Sequence, residues 1–415
     1  MRKRSVGVRA WARLLGLEKT VVEGVELDED DALVVAVRPS YTQRDRCPHC
    51  RRRCPGYDQG EGRRRWRALD LGTTFCFLEA DAPRVECRQH GVVVAAVPWA
   101  RHDAGFTRSF DDTAAWLAVN TSKSAICQLS RIAWRTVGRI CERVSAEANA
   151  GRDLFANLTE LGFDEISIRK GQKYLTVVVD HHTGRLVWAF GRDRKTVEKF
   201  LDLLGPERCQ QIRPVSCDDA EWITRPIAER CPKAVVCLDP WHIVKAATDA
   251  LDDVRRQVWN EARRAGNKQL AKRLKGARFA LWKKPEKLTD QQHAKLAWIQ
   301  TLNAPIYRAY LLKEQLRGIY HADNTEHALA LLDGWLKWAR RCRLEPFVKL
   351  AKRITEQRSR VEAALHHSLP NARVEQVNTQ IRLIIRRGFG YRSPGAVIAL
   401  AMLSLGGLCP PLPRR

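Results

Sequence analysis

At 415 residues, 45% hydrophobic and 29% charged, the chain is globular, and it is too long for a single compact core, so about two to four domains are expected. Lysine and arginine number 72 against 47 aspartates and glutamates, a net charge of +25. Such an excess repels itself in a compact fold unless a polyanion neutralises part of it, which makes nucleic acid the first partner to consider. Membrane binding is the competitor, but no apolar run approaches the ~18 residues of a spanning helix. The basic start "MRKRSVGVRAWARLLGLEKT" also lacks the apolar core of a signal peptide, so an intracellular protein is expected. Thirteen cysteines, an odd count in a large chain without an export signal, read as reduced thiols, some of them metal ligands.

Residues 20–38 read as a hairpin, two β-branched runs around an acidic turn. Next come Cys47 and Cys50 in "CPHC", and Cys87 and His90 with the same two-residue gap. Two such pairs flanking a β-rich stretch supply four soft ligands, which suits tetrahedral Zn²⁺ in a closed structural site. Coincidence among thirteen cysteines is the plain alternative, and Cys54 is a spare thiol close by. Nine arginines lie between Arg44 and Arg67, among them Arg51, Arg52, Arg53, Arg63, Arg64 and Arg65. They are expected to touch phosphates, against the alternative of a solvated basic face.

Three short helices follow in residues 106–146: "SFDDTAAWLAV", capped near Ser109 or Asp111, "SKSAICQLS" and "TVGRICERVSAEA". A helix, a tight turn and a basic helix carrying Arg135, Arg139 and Arg143 form a helix-turn-helix pattern whose last helix would enter a major groove, although any small helical bundle could look similar. Beyond residue 155 the pattern turns to strands, "LTELGFDEISI", "KYLTVVVD" and "RLVWAFG", then helix, strand ("QIRPVSCDD"), helix and strand ("KAVVCLD"). That order, β-β-β-α-β-α-β, is the order of the RNase H-like fold. From His242 to about Arg360 the chain reads helical, with Trp259, Trp282, Trp298, Trp335 and Trp338 as core anchors rather than base-stacking platforms. One further helix, "NARVEQVNTQIRLIIRRGFGYRS", ends at Gly388 and Gly390. The expected fold class is therefore an α/β core of RNase H-like fold interrupted by an α-helical insertion, preceded by a small zinc-binding β-rich domain and a helix-turn-helix. The expected boundaries are 1–100 for the zinc-binding domain, 101–150 for the helix-turn-helix and 151–245 for the first part of the core. The insertion takes 246–360, and the last core helix with the tail takes 361–415.

Two acids, Asp164 and Glu165, interrupt an otherwise half-buried strand, where an unpaired polar group costs about 2–7 kcal/mol. In an RNase H-like sheet the first strand is central and the fourth lies beside it, so Asp164 and Asp218 would face each other at the sheet's edge. A divalent metal, Mg²⁺ or Mn²⁺, would compensate such a pair, and two ions about 3.5–4 Å apart would serve phosphoryl displacement. A third carboxylate is expected from the last helix. Val374, Val377, Ile381 and Ile384 form its buried stripe, while Glu375, Asn378 and Arg382 run along the flank. Arg382, Arg386, Arg387 and Arg392 would sit near the phosphates. Asp219 could replace Asp218; in "LDPWHIVK" Asp239 is read as structural or DNA-contacting, and His242 as positioning substrate or as a core or hydrogen-bonding histidine.

With these residues in hand, the chain resembles transposases of the ISL3 family of bacterial insertion sequences. The resemblance covers nearly the whole chain. It rests on "CPHC" with "WRALDLG" and "RVECRQHGV", on "SRIAWRTVGRICERV", on "GFDEISIRKGQKYLTVVVD", on "CLDPWHIVKAATDALDDVR" and on "PNARVEQVNTQIRLIIRRGFGYRS". It implies a DDE transposase in which Asp164, Asp218 and Glu375 match the acidic triad, and a zinc-binding N-terminal domain that recognises terminal inverted repeats together with the helix-turn-helix. A cytoplasmic protein on the nucleoid is then expected, a homo-oligomer at least dimeric on double-stranded DNA of transposon ends and target. The doublet "CDDAEW" departs from the pattern, since an apolar residue is expected after the aspartate. A nuclease that cuts without joining strands and a non-catalytic repressor derived from a transposase are the rival readings.

Overall fold

The structure is a computed structural model that describes residues 8–413 apart from 170–172, 192, 370, 389–390 and 392. The expected stop at Gly390 and the expected phosphate contact Arg392 thus lie outside the described residues. Two compact units form. One holds Met1–Leu154, Ile168–Gln172 and Thr379–Arg415; the other holds Phe155–Ser167 and Lys173–Asn378.

The first unit opens with helix α1 (Val8–Leu14) and the hairpin β1 (Thr20–Leu27) and β2 (Leu33–Pro39), antiparallel as its sequence predicts. Asp28 makes the turn, its carboxylate accepting from the backbone N–H of Asp30 and Ala32. Strands β3 (Gly56–Asp58), β4 (Arg63–Arg67), β5 (Cys76–Asp81), β6 (Arg84–Cys87) and β7 (Gly91–Val94) complete two sheets, ordered β1-β2-β5-β4 and β3-β6-β7. Val35, Val37, Trp66 and Leu78 fill the core of the larger sheet. Three helices follow, α2 (Arg108–Asn120), α3 (Lys123–Ser130) and α4 (Trp134–Ala150), with Arg131 in the left-handed region at the turn between the last two. The cap of α2 is Thr107, whose hydroxyl accepts from the Phe110 N–H, and neither Ser109 nor Asp111 caps it. Asp111 is instead fully buried and paired, since its side chain turns inward to Arg143 and Arg101.

In the second unit, β8 (Leu161–Arg169), β9 (Lys173–Asp180), β10 (Leu186–Phe190), α5 (Arg194–Leu204), α6 (Pro206–Cys209), β11 (Pro214–Cys217), α7 (Glu221–Arg230) and β12 (Val235–Leu238) succeed one another. They build a five-stranded sheet ordered β10-β9-β8-β11-β12. β10 is antiparallel to β9, whereas β8, β11 and β12 run parallel. One face is apolar: Leu161, Phe163, Val178 and Val215 pack on Phe200 and Leu201 of α5 and on Ile223 and Ile227 of α7. Eight helices then share a second core. They are α8 (Pro240–Arg264), α9 (Lys268–Lys275), α10 (Arg278–Trp282), α11 (Asp290–Leu302), α12 (Ala304–Ile319), α13 (Thr325–Arg341), α14 (Glu345–Glu356) and α15 (Arg358–His367). Trp335 is its anchor, completely buried with its indole N–H donating to the Leu312 carbonyl at 2.8 Å, and the other four tryptophans pack partly buried against this core.

Helix α16 (Asn371–Arg387) is cut by the boundary between the units, after Asn378. The sequence expectation assigned all of 361–415 to one core, whereas Thr379–Arg415 clusters with the first unit. There α17 (Pro394–Leu405) packs on α4, Gly138 leaving room for Ala396. Among the described residues no helix is long and apolar enough to cross a membrane.

Candidate functional site

Parallel pairing aligns the acids. Ser216 of β11 pairs with Gly162 of β8 and with Cys237 of β12. Two residues further along each strand stand Asp164, Asp218 and Asp239, side by side at one edge of the sheet. The Asp164 carboxylate accepts from the Glu165 N–H at 2.7 Å and from the Asn378 amide of α16 at 2.6 Å. Burial pushes its carboxyl up to about 6, with Asp239 and Asp218 adding to the rise; the Glu165 N–H and His242 oppose it. Burial likewise raises Asp218, whose Oδ1 is buried without a hydrogen-bond partner among the described residues. Asp239 caps α8 through the Trp241 N–H and holds His242 Nδ1 at 3.1 Å. That bond, with the neighbouring carboxylates, raises His242.

Asp219 behaves differently from its neighbour. Arg353 and Arg360 reach it at 3.3 and 3.2 Å, and Gln357 donates to it as well, so its charge is already compensated by α14, α15 and the turn between them. Glu375 is exposed on α16, one turn before Asn378 on the same flank. Asp218 lines a cavity of about 170 Å³ with His242, Ile243 and Arg353. A buried carboxylate oxygen without a hydrogen-bond partner among the described residues, beside a second, half-buried carboxylate, is a donor set that suits a hard divalent cation. Asp164, Asp218 and Glu375 do not, however, form a closed cluster of donor atoms within 4.8 Å.

Gly162 decides how α16 meets the sheet, and sequence reading missed it. A Cβ there would stand 2.5 Å from Val374 Cγ2 and 2.9 Å from His181 Nε2. The bare strand lets Val374 sit directly on the sheet, and one helical turn later Asn378 meets Asp164. Beneath them His181 Nε2 and Ser216 Oγ share a buried hydrogen bond of 2.7 Å, and burial lowers the imidazole to about 4. A glycine inside a strand was the available signal of such a close approach. Gly162→Ala should therefore push α16 outward, costing about 1–3 kcal/mol through overpacking. The double variant with Val374→Ala should recover most of the stability in a thermal melt; no recovery would mean the contact is not limiting.

The second cluster is Cys47, Cys50, Cys87 and His90, whose ligand atoms all lie within 4.8 Å of one another. Cys47 and Cys87 Sγ both stand 3.5 Å from His90 Nδ1, and Cys50 Sγ is 3.7 Å from Cys87 Sγ. A tetrahedron with Zn–S near 2.3 Å has sulfur–sulfur edges of about 3.8 Å, so the arrangement fits zinc. The pairs come from a tight knuckle that ends at Arg51, with φ 60°, and from the β6–β7 turn closed by Gly91. Backbone N–H groups of Gln89 and His90, together with the His90 ring, bring the Cys87 thiol down to about 6, toward the thiolate that a metal requires. Cys54 is outside this group and donates to the Arg52 carbonyl.

Of the arginines expected to meet DNA, Arg51, Arg52 and Arg53 are exposed, as are Arg135 and Arg139, one turn apart on α4, and Arg382, Arg386 and Arg387 on α16. Arg63 and Arg65 pair with Glu79 of their own sheet, Arg65 also with Asp28, and Arg64 donates to the Ala104 carbonyl. Arg143 is half-buried and closes on Asp111 at 2.7 and 2.9 Å, because a buried carboxylate is costly unless paired. It is therefore a tie between α4 and α2, not a groove-facing side chain.

Comparison with known proteins agrees with this organisation in chain order. Residues 43–90 match the zinc-finger of transposases IS204, IS1001, IS1096 and IS1165, residues 95–145 the helix-turn-helix domain of transposase family ISL3, and residues 161–400 a transposase family model. The transposase for insertion sequence element IS1557 of Mycobacterium tuberculosis is 51% identical over 98% of both chains. The transposase for IS1001 of Bordetella parapertussis is 25% identical over 89% of this chain and 91% of its own. A zinc ribbon, a DNA-binding helix-turn-helix and a DDE catalytic domain in that order, with half the residues shared along nearly the full length of one such enzyme, mean that this chain belongs to the ISL3 family of transposases.

Proposed function

We propose that Asp164, Asp218 and Glu375 hold Mg²⁺ or Mn²⁺ and that this edge of the sheet cuts DNA at the ends of an insertion sequence and joins them to a target. The alignment of Asp164 with Asp218, the latter keeping a buried oxygen free, is the observation that carries the reading. The strand order 3-2-1-4-5, counted along this sheet, supports an RNase H-like core, with α8–α15 inserted before α16. Divalent ions held by these carboxylates would supply Lewis acidity toward the phosphodiester and the attacking oxygen. The chain's own part is positional. Asn378 and the Glu165 N–H hold the Asp164 carboxylate still, and α16 carries Glu375 along the same flank. Each step is an in-line exchange at phosphorus: a water oxygen displaces the 3′ oxygen of the element's end, and the freed hydroxyl then displaces an ester oxygen of the target. No protein nucleophile is required.

Zinc in the Cys47, Cys50, Cys87 and His90 cluster would hold the ribbon rigid, and exposed Arg51, Arg52 and Arg53 would contact phosphates. Arg135 and Arg139 of α4 would enter the major groove of the terminal repeat. Because two ends must be brought together, we expect a homo-oligomer, at least a dimer, on DNA. The test incubates the full chain with DNA carrying the element's ends, Mg²⁺ and a target plasmid. Free 3′-hydroxyl ends followed by joined product are expected; cleavage without joining would make the protein a nuclease. Arg139→Ala should lower the preference for end DNA over random DNA, about 1–3 kcal/mol for a good base contact. Equal losses on both would make it a phosphate contact.

A further inference from the structure

Positive charge is concentrated in one corner of the second unit. Residues 262–287 hold ten lysines and arginines and a single acid, Glu286. All ten basic side chains are exposed, and Glu286 is drawn to Arg317, outside the segment, at 3.2 Å. Tryptophans order the arginines: Arg278 lies over Trp282 at 3.8 Å, Arg273 over Trp298 at 4.1 Å and Arg263 over Trp259 at 4.9 Å. Stacking of this kind holds a guanidinium in place without cancelling its charge. Where α8 meets α9, a concave surface of about 400 Å³ is lined by Trp259, Arg263, Lys268, Lys272 and Lys275. A face that served solubility alone would mix both signs.

We propose that this corner is a second DNA-binding surface, one that grips the sugar–phosphate backbone of the target duplex regardless of sequence. Its position supports the assignment. α8 begins at Asp239, in the row of acids, and runs for 25 residues, about 37 Å at 1.5 Å per residue. One turn of B-form duplex spans about 34–36 Å. A duplex lying along α8 from the metal edge therefore presents the same face to the basic corner one turn later. This spacing rests on the proposed metal edge; the charge and the concave surface do not.

The test uses the full chain carrying Lys268→Glu, Lys272→Glu and Lys275→Glu together, with the three Gln substitutions as a milder companion. Binding to a random duplex of about 40 base pairs is titrated against salt, where each lost phosphate contact lowers the log–log slope by about 0.9. The Glu variant should lose at least about tenfold in affinity and about 2–3 in slope, with circular dichroism unchanged and the Gln variant intermediate. Wild-type affinity and slope would overturn the proposal. An equal or larger loss on DNA bearing the element's end would overturn the target assignment by making the corner part of end recognition. If the wild-type chain fails to cut element ends while the slope change appears, the metal edge is misassigned and the basic corner stands.

Discussion

Asp218→Ala should abolish end cleavage and strand joining together while binding to the element's ends persists. The expected loss is about 10³-fold or more, about 4 kcal/mol of transition-state stabilisation. The same assay separates the adjacent carboxylates. Asp218 keeps a buried oxygen without a hydrogen-bond partner among the described residues, at the edge where Asp164 and Asp239 also stand. Asp219 instead points to Arg353, Gln357 and Arg360, and joins the sheet to the helices that follow it. Asp219→Ala therefore leaves two exposed arginines without their carboxylate and costs little stability, about 0.2–1 kcal/mol per pair, visible as a Tm lowered by a few degrees at most. Its cleavage and joining should survive at reduced temperature. Asp164→Ala should match Asp218→Ala, and a chelator should reproduce both. The assignment fails if Asp218→Ala cuts DNA while Asp219→Ala, still folded, does not.

Cys47→Ser should lose zinc and unfold the ribbon between residues 43 and 90, with end binding falling alongside. The four ligands lie in the knuckle and the β6–β7 turn, outside the apolar core of the larger sheet, so metal binding and local folding are coupled there. About one zinc per chain is expected in the wild type by elemental analysis, and a steep rise in protease sensitivity of the N-terminal region in the variant. Cys54→Ser is the control. Its sulfur is outside the four-ligand group and donates to a backbone carbonyl, so zinc content and end binding should not change. Full zinc in Cys47→Ser, or loss in Cys54→Ser, would reassign the ligand set.

Much of this organisation is local and therefore legible in one dimension. The hairpin of β1 and β2, the strand β9 and the helices α3 and α5 follow from side-chain period and turn chemistry, which neighbouring residues carry between them. The four residues of the Cys47, Cys50, Cys87 and His90 cluster announce themselves by equal two-residue gaps, a spacing that lets a knuckle turn two ligand side chains toward one ion. Helix α17 was not legible: "PGAVIALAMLSL" is apolar on every side, and a helix buried all round carries no period to read. Nor was the fate of single charges. Arg143 looks like a groove-reading residue on a helical wheel, yet it serves Asp111, thirty-two residues away, once α2 and α4 pack. Asp218 and Asp219 are indistinguishable in the string "CDDAEW"; the direction of the chain after β11 leaves one oxygen of the first carboxylate without a hydrogen-bond partner among the described residues and gives the second carboxylate to two arginines on α14 and α15. The sequence by itself determined most of the elements, the zinc spacing and the family, and it pointed to Asp164 and Asp218. Which charged groups are compensated, and the bare face at Gly162 that lets α16 bring Asn378 to Asp164, were decided only by tertiary packing, because compensation depends on residues brought near from far along the chain.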